Sequence, residues 1–121
     1  MKKKHSDWRL PTIEELLTLV NYEKYDTTCD SACDLEDTSS SSYWSSSTYV
    51  YDTDHAWLVY FSLGYSGYNL KSSYYYVRCV RTGNKGLQWS KSSDIAMNWD
   101  EAFEYAEGLV DITYYKAKDK K

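Results

Sequence analysis

Two capping boxes stand near opposite ends of this chain, and together they limit the folds open to it. Thr12 is followed three residues later by Glu15, and Asn98 by Glu101, the pattern in which cap side chain and third-position carboxylate exchange hydrogen bonds with each other's backbone. Each box opens an amphipathic run. After Thr12, residues Ile13, Leu16, Leu17 and Val20 fall at i, i+3, i+4 and i+7, which predicts a helix within "LPTIEELLTLVNYEK". After Asn98, residues Trp99, Ala102, Phe103 and Ala106 form the apolar face of a second helix in "MNWDEAFEYAEGL". Asp100 and Glu101 suit its positive start, and Gly108 can end it. Both apolar stripes are expected to face a core.

The stretch between the boxes reads as strands, so the fold class expected is α+β. "AWLVYFSL" alternates, with Trp57, Val59, Phe61 and Leu63 on one side. "SYYYVRCVR" is β-rich with apolar groups on both faces, as an interior strand is. "GLQWSK" sets Leu87 and Trp89 against Gln88 and Ser90. Between these last two lies "TGNKG", a Gly/Asn turn of hairpin length, so the Cys79 and Trp89 strands are expected to pair antiparallel. The Ser-rich run "TSSSSYWSSSTY" is interrupted by Tyr43 and Trp44 and is expected to be a loop anchored by those aromatics.

Leu, Ile, Val and Phe make up only 21 of 121 residues, a fraction that would suggest disorder at high net charge. Net charge is only -4, and 14 Tyr with 5 Trp supply the missing apolar area. A single domain with an aromatic core follows, with Trp44, Trp57, Phe61, Val77 and Val80 assigned to it. The acidic balance argues against nucleic-acid or sulfated-polysaccharide partners, which need a dense basic face. Lysines cluster instead in "MKKK" and "KAKDKK", read as solvated ends. No apolar run approaches the length of a membrane span. "MKKK" is followed by His5, Ser6 and Asp7 rather than an apolar segment, so no signal peptide is read there.

Three cysteines leave one over. Cys29 and Cys33 share the polar segment "TTCDSACDLED"; a local disulfide is the first expectation, free thiols the second, a metal site the third. Cys79 reads as a small buried hydrophobe.

The tyrosines carry the functional reading. Tyr49, Tyr51, Asp52, Asp54, His55, Tyr65, Tyr68, Asn69, Tyr74 and Tyr75 lie in or beside the loops joining the strands. Tyrosine presents a rigid apolar face and one hydroxyl at low entropy cost, and Ser, Gly, Asn and Asp add adaptable hydrogen bonds, as in antibody paratopes. The competing reading places many of these rings in the core, but a small domain lacks the volume to bury them all. The ten residues are the expected ligand surface, with a protein or carbohydrate ligand. No Ser-His-Asp set, His-rich metal motif or phosphate-cradling Gly loop is present, so no enzyme is expected. Glu14, Glu15, Glu101 and Glu104 read as solvated helix-surface carboxylates. No cofactor is expected; calcium held by Asp52, Asp54 and Asp26 stays open. "NWD" at Asn98 to Asp100 superficially matches sugar-site motifs, but helix capping explains it.

"SDWRLPTIEELLTLV", "YWSSS", "AWLVYFS" and "YYYVRCVR" together resemble the C-terminal domain family of the Legionella collagen-like adhesin. "GLQWSK" and the second helix resemble the same family's opening. The resemblance implies a C-type-lectin-like fold: two helices packed on a small, mostly antiparallel sheet with long loops. It also implies a circularly permuted order, because the family's opening strand and helix here follow "RCVR". The implied organisation is one domain. Residues 1–81 form the family's C-terminal part, 82–86 a joining turn, 87–110 its opening strand and helix, and 111–121 a Lys-rich tail. A self-closing monomer is favoured over an oligomer exchanging halves. Where the family often carries a helix cysteine, this chain has Ala106, which implies that Cys79 has lost a partner. C-type-lectin-like domains also serve as variable proteins of diversity-generating retroelements, and the stretch from Tyr43 to Arg81 resembles such a variable region. The family context implies a cell-surface, extracellular or phage-associated setting and an adhesin-like role. A lectin, with or without calcium, is the alternative, and a permuted scaffold without ligand the second. The same superfold includes formylglycine-generating oxidases, but Cys29 and Cys33 sit outside the motif-bearing regions.

Overall fold

The computed structural model describes residues 5–20, 42–61, 63–83 and 86–110. Its element order is α1 (Ile13–Leu17), β1 (Ser42–Thr48), β2 (His55–Tyr60), β3 (Tyr65–Leu70), β4 (Arg78–Gly83), β5 (Gly86–Ser92) and α2 (Trp99–Gly108). Among the described residues the class is α+β, with two helices and small antiparallel sheets: one in the order β1-β2-β3, the other pairing β4 with β5. The segments holding Cys29, Cys33 and Asp26 lie outside the described residues.

Both capping boxes form. Thr12 Oγ1 accepts from the Glu15 N–H at 3.1 Å while Glu15 accepts from the Thr12 N–H at 2.9 Å. Asn98 and Glu101 exchange the same bonds at 2.9 Å each. The first helix is far shorter than its apolar period predicts. After Leu17 the chain tightens to i−3 bonds, Leu19 N–H to the Leu16 carbonyl and Val20 N–H to that of Leu17, each at 3.1 Å. Leu19 and Val20 are nevertheless buried, so the stripe serves the core without regular helix.

In the Ser-rich run, residues Ser42–Thr48 form a strand rather than a loop, and positions 38–41 lie outside the described residues. Within it Tyr43 and Trp44 are adjacent, and strand alternation sends them to opposite faces of the sheet. Tyr43 joins Leu16, Leu19, Val20, Val59, Phe61, Val80 and Trp89. Trp44 joins Trp8, Leu10, Ala56, Leu58, Val77, Cys79, Met97, Ala102 and Ala106. The sheet therefore lies between two cores, one lined by α1 and one by α2. The serines are bound in place: Ser45, fully buried, donates to the Trp57 carbonyl at 2.7 Å, and Ser47 Oγ accepts from the Ile13 N–H at 3.0 Å. A hydroxyl that finds a backbone partner removes the penalty that makes serine a poor core residue.

The expected hairpin is present. β4 and β5 pair antiparallel with Val80 opposite Trp89 and Gly83 opposite Gly86. β4 starts at Arg78, later than the β-rich run predicts. Tyr75 and Tyr76 instead make single bridges, to Met97 and Tyr43, which tie this segment to the start of α2 and to β1. On its other side β4 is bridged by Arg9, whose N–H and carbonyl bond Val80 at 2.9 and 2.8 Å.

Two further expectations are corrected. Leu63 does not share the buried face of β2, because its N–H and that of Gly64 both turn back to the Tyr60 carbonyl, which leaves it exposed. Gly64 adopts the left-handed conformation that turn needs, at φ 79°. Trp57 is half-buried instead of core: it packs edge-on to Tyr49 and Tyr68, outside both buried clusters.

Candidate functional site

The registers of β1, β2 and β3 decide which tyrosines meet. Trp57 stands opposite Tyr68 and His55 opposite Leu70, and all four share the sheet face on which Val59 packs against α1. Ala56, Leu58 and Tyr60 stand opposite Asn69, Gly67 and Tyr65, on the α2 face. The ten expected ligand residues are thus divided by the sheet.

On the α1 side an aromatic cluster forms. Tyr49 stacks on Tyr68 with ring centroids 3.9 Å apart and planes 7° from parallel. Trp57 meets both edge-on, at 5.3 Å to Tyr49 and 5.6 Å to Tyr68, and Tyr51 meets Tyr49 edge-on at 5.7 Å. His55 meets Tyr68 at 5.8 Å, and its Nδ1 lies 3.2 Å from Asp52 Oδ2. The loop carrying these groups bonds itself into shape. Tyr49 N–H donates to the His55 carbonyl, His55 N–H to that of Asp52, and Asp52 N–H to that of Tyr49, at 2.9, 2.9 and 3.1 Å. Tyr51 is 87% exposed and Tyr68 46%. Hydrogen bonding to the Tyr68 hydroxyl, then desolvation, raises the Tyr49 phenol above its ordinary pKa.

On the α2 side Asn69 Nδ2 donates to the Tyr75 hydroxyl at 2.7 Å, and Tyr75 packs edge-on against buried Trp44 at 5.0 Å. Tyr60, raised by burial and then by nearby Tyr75, meets the exposed ring of Tyr65 at 5.8 Å. Asn69 and Tyr75 therefore brace the fold. Tyr74 and Asp54 are exposed outside either cluster, Tyr74 at 63%.

Three functional candidates escaped the sequence reading. Trp57 forms the floor of the α1-side cluster. Lys71 sets its ammonium 4.1 Å over the Trp99 ring, a cation–π contact that also occupies the charge closest in sequence to β3. Trp57 had a usable signal, since alternation put it on the same face as His55; the Lys71–Trp99 pair, 28 positions apart, had none.

Of the helix carboxylates read as solvated, Glu15 is not. It closes its cap and takes both Arg9 guanidinium nitrogens at 2.7 and 2.8 Å, which holds its carboxyl below the usual range. A separate cleft of about 450 Å³ lies between the end of β5 and α2, lined by Lys91, Ser92, Asp94, Met97, Tyr105 and Leu109 among others; none of the ten residues lines it. Among the described residues no three His, Cys, Asp or Glu side chains gather as a metal site would require. Cys79 is a buried free thiol whose burial pushes its pKa up to about 12. No helix among the described residues is long and apolar enough to cross a membrane.

The family model of the Lcl C-terminal domain matches residues 2–81, which is 80 of the 121 residues. No curated protein and no solved structure matches the chain.

Proposed function

The chain belongs to the Lcl C-terminal domain family, and we propose that it is a non-enzymatic, adhesin-like binding module whose ligand surface is the α1-side aromatic cluster. The observation that carries this is the pre-ordered platform of Tyr49, Tyr51, Trp57 and Tyr68 with Asp52 and His55 at its rim. Rigid rings held in place before binding lose little entropy when a ligand arrives, and hydroxyl, imidazole and carboxylate groups beside them fix its orientation. The surface is apolar enough to attract and polar enough to discriminate.

The finer reading is a C-type-lectin-like fold in circularly permuted order, acting as a variable binding protein at a cell surface, outside the cell or on a phage particle. Supporting the permuted order, the family match ends at Arg81, two residues before the end of β4, and β5 with α2 follows as the continuation. The corresponding domain plan is the family's C-terminal part over 1–81, a joining turn over 82–86, its opening strand and helix over 87–110, and a tail. The ligand is a protein or a carbohydrate, bound by a monomer.

The test is a binding screen of the protein against a glycan array and a panel of surface proteins, with and without calcium. The variants Tyr51→Ala and Tyr68→Ala should abolish any specific binding found. Binding retained by both variants would overturn the assignment.

A further inference from the structure

β1 and β3 are the outer strands of the three-stranded sheet, and they differ in what covers their free edges. β1 is closed: Trp44 N–H donates to the Tyr76 carbonyl at 3.0 Å, Tyr76 N–H to that of Ser42 at 3.1 Å, and Ser46 N–H to that of Pro11 at 2.8 Å. β3 is open. The carbonyls of His55 and Trp57 are bonded toward β1, by the Tyr49 N–H and the Ser45 hydroxyl. Antiparallel pairing alternates, so Ala56, Leu58 and Tyr60 bond across to Asn69, Gly67 and Tyr65. Ser66, Tyr68 and Leu70 therefore turn their backbone groups outward. Leu70 is satisfied locally, its N–H by Asn69 Oδ1 at 2.7 Å and its carbonyl by Ser73 N–H at 2.9 Å. Among the described residues nothing pairs with the backbone of Ser66 and Tyr68, which present two N–H and two carbonyl groups to the outer edge.

Protein sheets commonly guard such an edge with lysine, proline or a bulge. β5, the outer strand of the other sheet, carries exposed Lys91. β3 reads Tyr-Ser-Gly-Tyr-Asn-Leu, with no charge and no proline, and its pairing with β2 runs without a shift. Lys71, just beyond it, is held over Trp99. Tyr68 and Tyr65 rise on opposite faces of the strand, so an added strand would find an aromatic wall on either side. The exposed carboxylates Asp52 and Asp54 stand beside the Leu70 end, where the Lys71 N–H bonds the Asp54 carbonyl at 2.8 Å.

The geometry points to strand addition: the ligand is an extended, cation-bearing polypeptide segment of another protein, paired through its backbone with Ser66 and Tyr68. This inference rests on the aromatic cluster being the ligand surface and names the ligand's class.

The probe is a blocked heptapeptide, Lys-Thr-Val-Tyr-Val-Thr-Lys, beside the same peptide N-methylated at both valines, which cannot donate along one edge. Titration of the wild-type protein, followed by amide NMR, should shift and protect the Ser66 and Tyr68 amides. Methylation should weaken binding about tenfold or more, since backbone bonds are lost. Ser66→Pro removes an outward donor while sparing the β2 ladder, and should weaken the unmodified peptide comparably. Equal binding of both peptides, or shifts confined to other elements, would overturn strand addition. So would a concentration-dependent dimer abolished by Ser66→Pro, which would make the occupant a second copy. A ligand from the screen that is lost in Tyr51→Ala but unaffected by Ser66→Pro sinks strand addition while leaving the aromatic platform standing.

Discussion

Tyr49 and Tyr68 lie ring on ring at 3.9 Å, the first in the loop after β1 and the second in the middle of β3, with Trp57 edge-on to both. The stack joins the loop to the sheet and shapes the proposed binding surface before any ligand arrives. Tyr68→Ala should therefore loosen the loop as well as remove a contact surface. The expected cost is about 1 kcal/mol of stability, the order of an aromatic pair beyond its area. Greater solvent access at Trp57 should accompany it, read by quenching of its fluorescence against a Trp57→Phe control. An unchanged quenching profile would show that the stack does not shield the indole.

Gly67 stands where the Tyr60 ring crosses β3. A Cβ there would fall inside any real contact distance of Tyr60 Cε2. Gly67→Ala must displace a ring that packs against the α2-side core and sits beside Tyr75. Chemical denaturation should show a loss of about 1–3 kcal/mol, as for other overpacked sites. A neutral or stabilising result would mean the ring swings aside freely.

Two ion pairs tie the segment before α1 to its neighbours and make stability sensitive to acid. Arg81 grips Asp7 at 2.7 and 3.2 Å, and Arg9 grips Glu15. Both carboxyls are held below their ordinary pKa, chiefly by hydrogen bonding to the arginine. A depressed carboxyl contributes stability that is fully present above its unfolded pKa and disappears as pH falls through the folded one. Urea midpoints should thus be flat near neutrality and decline once pH drops below the ordinary values of 4.5 and 3.8. Arg9→Ala should flatten the Glu15 part of that decline. Because both pairs are partly exposed, each is worth no more than about 1 kcal/mol.

Cys79 should resist alkylation in the native state. Its thiol is buried and, with a pKa pushed up to about 12, holds almost no thiolate at neutral pH. Iodoacetamide labelling mapped by mass spectrometry should reach this position only after unfolding. Native labelling at a rate like that of a free peptide thiol would contradict the burial.

Local sequence settled the elements whose signals are themselves local. Thr12 with Glu15 and Asn98 with Glu101 began helices because a capping box is complete within four residues, and "TGNKG" announced a hairpin because a turn needs only its own dihedrals. The binding-type composition of the tyrosine-rich stretch was legible on the same terms. Distant pairings decided the rest. Ser42–Thr48 became a strand because its hydroxyls found partners on β2 and at the start of α1, which no propensity could report. The first helix stopped at Leu17 although its apolar period ran on, because i−3 bonds buried Leu19 and Val20 equally well. Register separated Tyr68 from Asn69, sending one to the open aromatic platform and the other to brace Tyr75. A side chain's face in a sheet depends on which residue stands across from it, and only the folded chain holds that information.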